Sequence, residues 1–165
     1  MRKQVFSLLV ENTSGVVSHI SGLFSRRDYN IDSFSAGVTQ DPRFTRITVV
    51  STGDEQILEQ IEKQLEKLED VISIKQLNPG DSVTRELVLV KVRATAENRQ
   101  DILSVAGIFR AQIIDVSHDS MIIELTGTQS KLNAFVNLLK DYEILELART
   151  GTSGLSRGSE NITVL

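Results

Sequence analysis

The feature that most constrains the fold is an element order repeated on either side of one strong break. Asn78-Pro79-Gly80-Asp81 interrupts the chain, and a Pro-Gly pair between apolar runs marks a turn or boundary. Before it, Val5-Phe6-Ser7-Leu8-Leu9-Val10 predicts a mostly buried strand. Val16, Val17, Ile20, Leu23 and Phe24 then fall at helical spacing on one apolar stripe. Residues 31–39 and 44–51 predict a hairpin through Gln40-Asp41-Pro42-Arg43. Thr52-Gly53-Asp54-Glu55 has capping-box spacing. It opens a helix carrying Ile57, Leu58, Ile61, Leu65 and Leu68, and residues 71–77 close the unit as a strand.

After the break the order recurs. Residues 87–92 predict a strand, and Ile102, Leu103, Ala106 and Phe109 a helix. Residues 112–116 and 121–125 predict a hairpin around His118-Asp119. Leu132, Phe135, Val136 and Leu139 mark a helix, and residues 144–148 a last strand. Strand-helix-strand-strand-helix-strand is the split βαβ arrangement, an antiparallel sheet with both helices on one face. The expected class is therefore α+β, two ferredoxin-like βαββαβ domains. Their expected bounds are 1–78 and 83–150, with a linker at 79–82 and a C-terminal tail at 151–165. Units of this size bury a modest share of their surface, so association with another chain is expected.

Composition narrows function. The chain has 165 residues, 40% hydrophobic, and a formal net charge of −4. Neither half is polybasic, which argues against a nucleic-acid partner. No apolar run approaches membrane-spanning length, so a cytoplasmic protein without membrane association is expected. With no cysteine there is no disulfide, thiolate metal site or Cys nucleophile. The Asn12-Thr13-Ser14 and Asn161-Ile162-Thr163 sequons carry no weight without a signal peptide.

Catalytic constellations are hard to assemble from these residues. His19 and His118 are the two histidines available for proton transfer near neutral pH. The first sits beside Ile20 on a helix and the second in a turn, and neither belongs to a metal-ligand pattern such as H-E-x-x-H. Gly154-Leu155-Ser156-Arg157-Gly158 matches the G-x-S-x-G nucleophile elbow, but no histidine follows it. Residues 150–154 suit a flexible polar tail that docks on a partner. An RNA recognition motif needs aromatic residues on its central strands, and residues 44–50 offer only Phe44 at their start. An acylphosphatase-like phosphate cradle needs an arginine beside its loop, whereas Arg26 and Arg27 fall at the far end of the first helix. No catalytic residue and no metal ligand is assigned.

Glu11-Asn12-Thr13-Ser14-Gly15-Val16-Val17 is the segment best suited to a ligand. Ser14 is the expected N-cap, and Gly15 leaves the first helical turn without a side chain over it. The N–H groups and positive dipole end of that turn can then hold a small anion such as a carboxylate. An ordinary capped helix is the alternative that spacing alone leaves open.

Asn12-Thr13-Ser14-Gly15-Val16-Val17-Ser18, Gly22-Leu23-Phe24-Ser25-Arg26-Arg27 and Tyr29-Asn30-Ile31-Asp32-Ser33 resemble the ACT domain of acetolactate synthase regulatory small subunits. Residues 53–55 and 58–65 share that likeness. Residues 87–92, Phe109-Arg110-Ala111-Gln112-Ile113-Ile114-Asp115-Val116, Ala148-Arg149-Thr150-Gly151 and Leu155-Ser156-Arg157-Gly158 resemble the second half of the same family. The resemblance covers 3–158. It implies a non-catalytic subunit that activates a separate catalytic large subunit and confers feedback inhibition by valine in branched-chain amino-acid synthesis. The cofactors, thiamine diphosphate, Mg and FAD, are then expected in that partner and none in this chain. The resemblance further implies a homodimer through the ACT domain, with effector bound between two chains. Asn12, Gly15, Val16 and Val17 of one subunit, with Asn30 and Ile31 of its neighbour, would form the site. Val16 and Ile31 would wall a branched side chain, and the Asn30 amide can both donate and accept. An ACT-domain sensor serving a different metabolic enzyme is the alternative. One departure stands out: Asp28 occupies a position where the family often has glycine. Residues 159–165 extend past the recognised pattern and receive no role.

Overall fold

A computed structural model of the chain describes residues 1–160. The elements run β1 (Arg2–Glu11), α1 (Val16–Arg26), β2 (Ser33–Val38), β3 (Phe44–Gly53), α2 (Glu55–Glu66), β4 (Val71–Leu77), β5 (Ser82–Arg93), α3 (Arg99–Phe109), β6 (Gln112–Val116), β7 (Ser120–Gly127), α4 (Gln129–Leu139), β8 (Ile144–Arg149) and β9 (Ser153–Ser156). The order βαββαβ occurs twice. The first sheet runs β2-β3-β1-β4 and the second has the matching path β6-β7-β5-β8. All pairs on those two paths are antiparallel. The expected α+β class with two ferredoxin-like units is what the chain forms.

The first core follows from period two on the strands and 3.6 on the helices. Phe6, Leu8 and Val10 of β1 and Ile47 and Val49 of β3 face α1 and α2. The helices answer with Val16, Ile20, Leu23, Phe24, Leu58, Ile61 and Leu65. Register puts Ser7 opposite Thr48 on β3 and Lys75 on β4, so these residues share the other face of the sheet. In the second unit Val88, Val90, Val92, Met121, Ile123 and Leu125 pack under Ile102, Ala106, Leu132, Phe135 and Leu139. There the carboxylate of Glu86, 6% exposed, pairs with Arg149 at 3.1 Å. Arg149 also donates to Asn133 Oδ1 at 2.7 Å, which ties β8 to α4.

Helix ends differ from the sequence-based expectations at two places. Thr52 is not a cap, because β3 continues through it to Gly53 and its hydroxyl donates to Asp32. Asp54 caps α2 instead, accepting the Ile57 N–H at 2.8 Å. Ser14 does not cap α1 either. Gly15 occupies the N-cap position in a left-handed conformation, φ 89°, and no side chain caps the turn.

The exit of α1 resolves the Asp28 departure. Asp28 adopts φ 56°, Tyr29 N–H bonds the Phe24 carbonyl at 2.9 Å, and Asp28 N–H bonds that of Ser25 at 3.3 Å. That pair of bonds is a Schellman ending, sealed by the Phe24 and Tyr29 rings at 5.8 Å edge to face. Aspartate thus serves where glycine is the usual choice, at a conformational cost of about 1 kcal/mol.

The division of the chain departs from simple succession. One compact unit comprises Met1–Val83 together with the described residues from Thr152 onward, and the other is Thr84–Gly151. β5 starts at Ser82, inside the expected linker. The segment expected as a partner-docking tail returns to the first unit as far as residue 160. Thr152 N–H donates to Ser33 Oγ at 2.7 Å, Ser153 and Ser35 hydroxyls meet at 3.0 Å, and Arg157 N–H reaches the Asp81 carbonyl at 2.7 Å. Its polar composition suggested a loop because its partners, serines of β2, are distant in sequence. The remainder of that tail, including the second sequon, lies outside the described residues.

Candidate effector loop and its relatives

The loop after β1 is fastened from behind and left clear in front. Glu11 N–H donates to the Asp70 carbonyl at 2.9 Å and Asn12 N–H to that of Arg43 at 2.8 Å. The Asn12 side chain is held at both of its polar atoms as well. Its Nδ2 donates to the Pro42 carbonyl at 3.0 Å, and its Oδ1 accepts from Thr45 Oγ1 at 3.1 Å. Asn12 therefore clamps the loop to the β2–β3 hairpin tip. Asp70 also meets His19 Nδ1, on the exposed side of α1. His19 is thus a surface tie, and His118 lies in the exposed β6–β7 turn.

Beyond the clamp, residues 13–15 are exposed. Gly15 is required by its φ rather than by crowding, since an added Cβ would meet nothing within 4 Å. The first N–H groups of a helix have no acceptor within it, so here they face solvent with the positive end of the dipole. Val16 N–H reaches only weakly back to Thr13, at 3.5 Å. Its side chain belongs to the core at 5% exposure, so Val16 cannot wall a ligand as expected. Val17, 46% exposed, presents the apolar surface there.

Asn30 and Ile31 lie elsewhere in the unit. The Asn30 carbonyl accepts from Ser51 Oγ, and Ser51 pairs with Gln4 near the start of β1. The loop follows Glu11, seven strand positions away, or about 24 Å. One chain therefore separates the two halves of the expected site. Asn30 donates to Asp32 Oδ1, which in turn places the carboxylate that receives Thr52. Ile31 is exposed just ahead of β2, an edge strand whose Val38 is also exposed. The clamping role of Asn12 and the core position of Val16 escaped sequence reasoning. The alternation of Thr45, Ile47 and Val49 on the helix side was the signal that pointed Thr45 toward the loop.

Comparison with known proteins follows this geometry. Residues 6–73 match the model of the AHAS small subunit-like ACT domain, and residues 85–158 that of the small subunit of acetolactate synthase. The chain belongs to the acetolactate synthase small-subunit family. It is 46% identical over 159 residues to the acetolactate synthase isozyme 3 small subunit of Salmonella typhimurium, covering 96% of this chain and 98% of that one. A probable acetolactate synthase small subunit of Methanothermobacter thermautotrophicus is 45% identical, with 96% and 95% covered. The crystal structure of the Thermotoga maritima acetolactate synthase small subunit superposes with a TM-score of 0.90 at 40% identity, covering 97% of this chain and all of that one. Membership places the small subunit in branched-chain amino-acid synthesis alongside a catalytic subunit. No helix among the described residues is long and apolar enough to cross a membrane.

Proposed function

We propose that this small subunit regulates its catalytic partner by sensing valine. The observation that carries the reading is the exposed, uncapped start of α1 at Gly15. A free amino acid brings a carboxylate to that helix end, and Val17 offers its side chain an apolar neighbour. Because about 24 Å separates the loop from Asn30 within one chain, a site using both draws them from two copies. A homodimer through the first unit, joined beside edge strand β2, supplies that arrangement. Asn12 then acts as the clamp that holds the loop, while Gly15, Val16 and Val17 contribute through backbone N–H groups and the Val17 side chain. Asn30 and Ile31 come from the neighbour.

Binding transmits only if the two arrangements of the assembly differ in affinity for valine. A ligand this small binds at roughly micromolar to millimolar strength. One methylene is worth about 1–3 kcal/mol, so leucine and isoleucine should cross-react. We place thiamine diphosphate, Mg and FAD in the catalytic chain, whose activity this subunit raises without performing chemistry itself, and both in the cytoplasm.

The test is calorimetric titration of valine into the purified chain, followed by assay of acetolactate synthase activity on mixing with the catalytic subunit. Saturable heat that disappears in Gly15→Asp, with activation that valine reverses, is the expected result. Heat without activation would reassign the sensor to another enzyme. Normal valine binding by Gly15→Asp would overturn the loop site.

A further inference from the structure

The sheet face opposite the helices of the first unit holds a second feature, and it does not depend on the effector loop. Ser7 is 1% exposed at its centre. Lys75 stands directly across from it on β4, and Arg46 Nη1 donates to its hydroxyl at 2.7 Å from β3. Burial weakens the hold of Arg46 on its proton relative to a solvated guanidinium. Ile47 and Val49 point to the helices from β3, so Arg46 belongs to the opposite face, where a half-buried charge needs polar partners.

Over this row lies the returning C-terminal segment. Between the two is a cavity of about 170 Å³, floored by Ser7, Arg46 and Lys75 and roofed by Ser156, Gly158 and Glu160. On that measure one water needs about 10–15 Å³, so a phosphate-sized ion fits. Among the described residues, the ionisable groups lining it are Arg46, Lys75 and Glu160. That carboxylate, Glu160, bonds Lys75 Nζ at 2.6 Å, and its side chain is otherwise 80% exposed. The roof is held mainly by hydrogen bonds, and Leu155 remains 61% exposed, so little apolar burial opposes its opening. The chain's own carboxylate thus sits where an external anion would.

We propose that Arg46, Lys75 and the Ser7 hydroxyl form a site for a small dianion, phosphate or dicarboxylate, for which Glu160 is the built-in competitor. The site lies on the sheet face, whereas the effector loop lies at a helix start, so the two can be tested apart.

Sodium phosphate and, separately, sodium succinate are titrated at low ionic strength into the full chain and three variants. Glu160→Gln should tighten binding about two- to fivefold, the range an exposed ion pair supplies. Lys75→Met should weaken it at least tenfold, because a charge-assisted bond is lost, and Lys75→Arg should retain it. Gly15→Asp should bind as the wild type does. Saturation by phosphate alone identifies a tetrahedral-oxyanion site, and saturation by both a dianion site tolerant of shape; either supports the proposal. Failure of both ions to saturate Glu160→Gln overturns it. So does wild-type affinity in Lys75→Met, an unchanged Glu160→Gln, or loss of binding in Gly15→Asp.

Discussion

The two units build the same turn, from first strand into first helix, in opposite ways. In the first, the side chain that ties the turn to the following hairpin is Asn12, placed ahead of the helix. In the second, the ties sit in the helix mouth. Asn98 Oδ1 accepts the Thr95 N–H at 2.7 Å, and Arg99 donates to the Ser117 and His118 carbonyls at 3.0 and 2.9 Å. Gly15 opens α1 with a left-handed residue and no side chain, whereas Asn98 opens α3 from a right-handed conformation with its amide folded back. One fold thus yields an open helix start or a filled one, according to where a single tie falls. The exits agree instead: Asp28 and Arg110 both turn the chain with positive φ.

That contrast can be broken from either side. The largest expected effect is in the second unit. Arg149→Met strands the Glu86 carboxylate, 5% exposed in its side chain, and should cost about 3 kcal/mol in denaturant unfolding. Valine affinity should not change, and a loss there would mean that the second unit shares the effector site. Next, Gly15→Asp should weaken valine on the order of 100-fold, since like charges in contact cost several kcal/mol. Gly15→Ala isolates backbone strain, about 1–2 kcal/mol of stability, and its valine affinity measured by calorimetry should remain well above that of the aspartate variant.

A smaller, paired effect sharpens the comparison. Asn12→Ala and Asn98→Ala should each cost about 1 kcal/mol of stability. Only the first should weaken valine, by about tenfold, because only that tie supports an open helix start; equal affinities would refute the distinction. The smallest effect concerns the hairpin that Asn12 grips. Side-chain and backbone hydrogen bonds from Arg43 lower the Asp41 carboxyl from its usual 3.8 to about 2. A depressed folded value contributes stability that is full above the unfolded value and lost as pH falls through the folded one. Acid unfolding curves between pH 4 and 2 should therefore carry a small slope from Asp41 that Asp41→Asn removes.

Much of this was legible in the chain itself. Ile20, Leu23 and Phe24 declared α1, and Leu58, Ile61 and Leu65 declared α2, because amphipathic period reflects burial directly. Gly15 was legible as the opening of the first helical turn, although not as the N-cap itself. Ser14 misled because a serine before a helix is the usual cap, and only the left-handed Gly15 moved the cap position by one. Thr52 misled for the same reason, since β3 extends through it. The role of Asn12 was hidden, as its partners Pro42 and Thr45 come from a hairpin whose register periodicity does not report.

The sequence by itself determined the doubled βαββαβ order, the core positions Ile20, Leu23 and Phe24 of α1 and Leu58, Ile61 and Leu65 of α2, the family and the exposed loop at Gly15. Local spacing and residue chemistry are sufficient for these. Tertiary structure alone decided that Val16 turns inward and Val17 outward. It also decided that Asn30 lies about 24 Å from the loop in the same chain, and that residues 152–160 return to cover the first sheet. Each of those depends on contacts between segments far apart in sequence, where strand register rather than local preference sets which side chains meet.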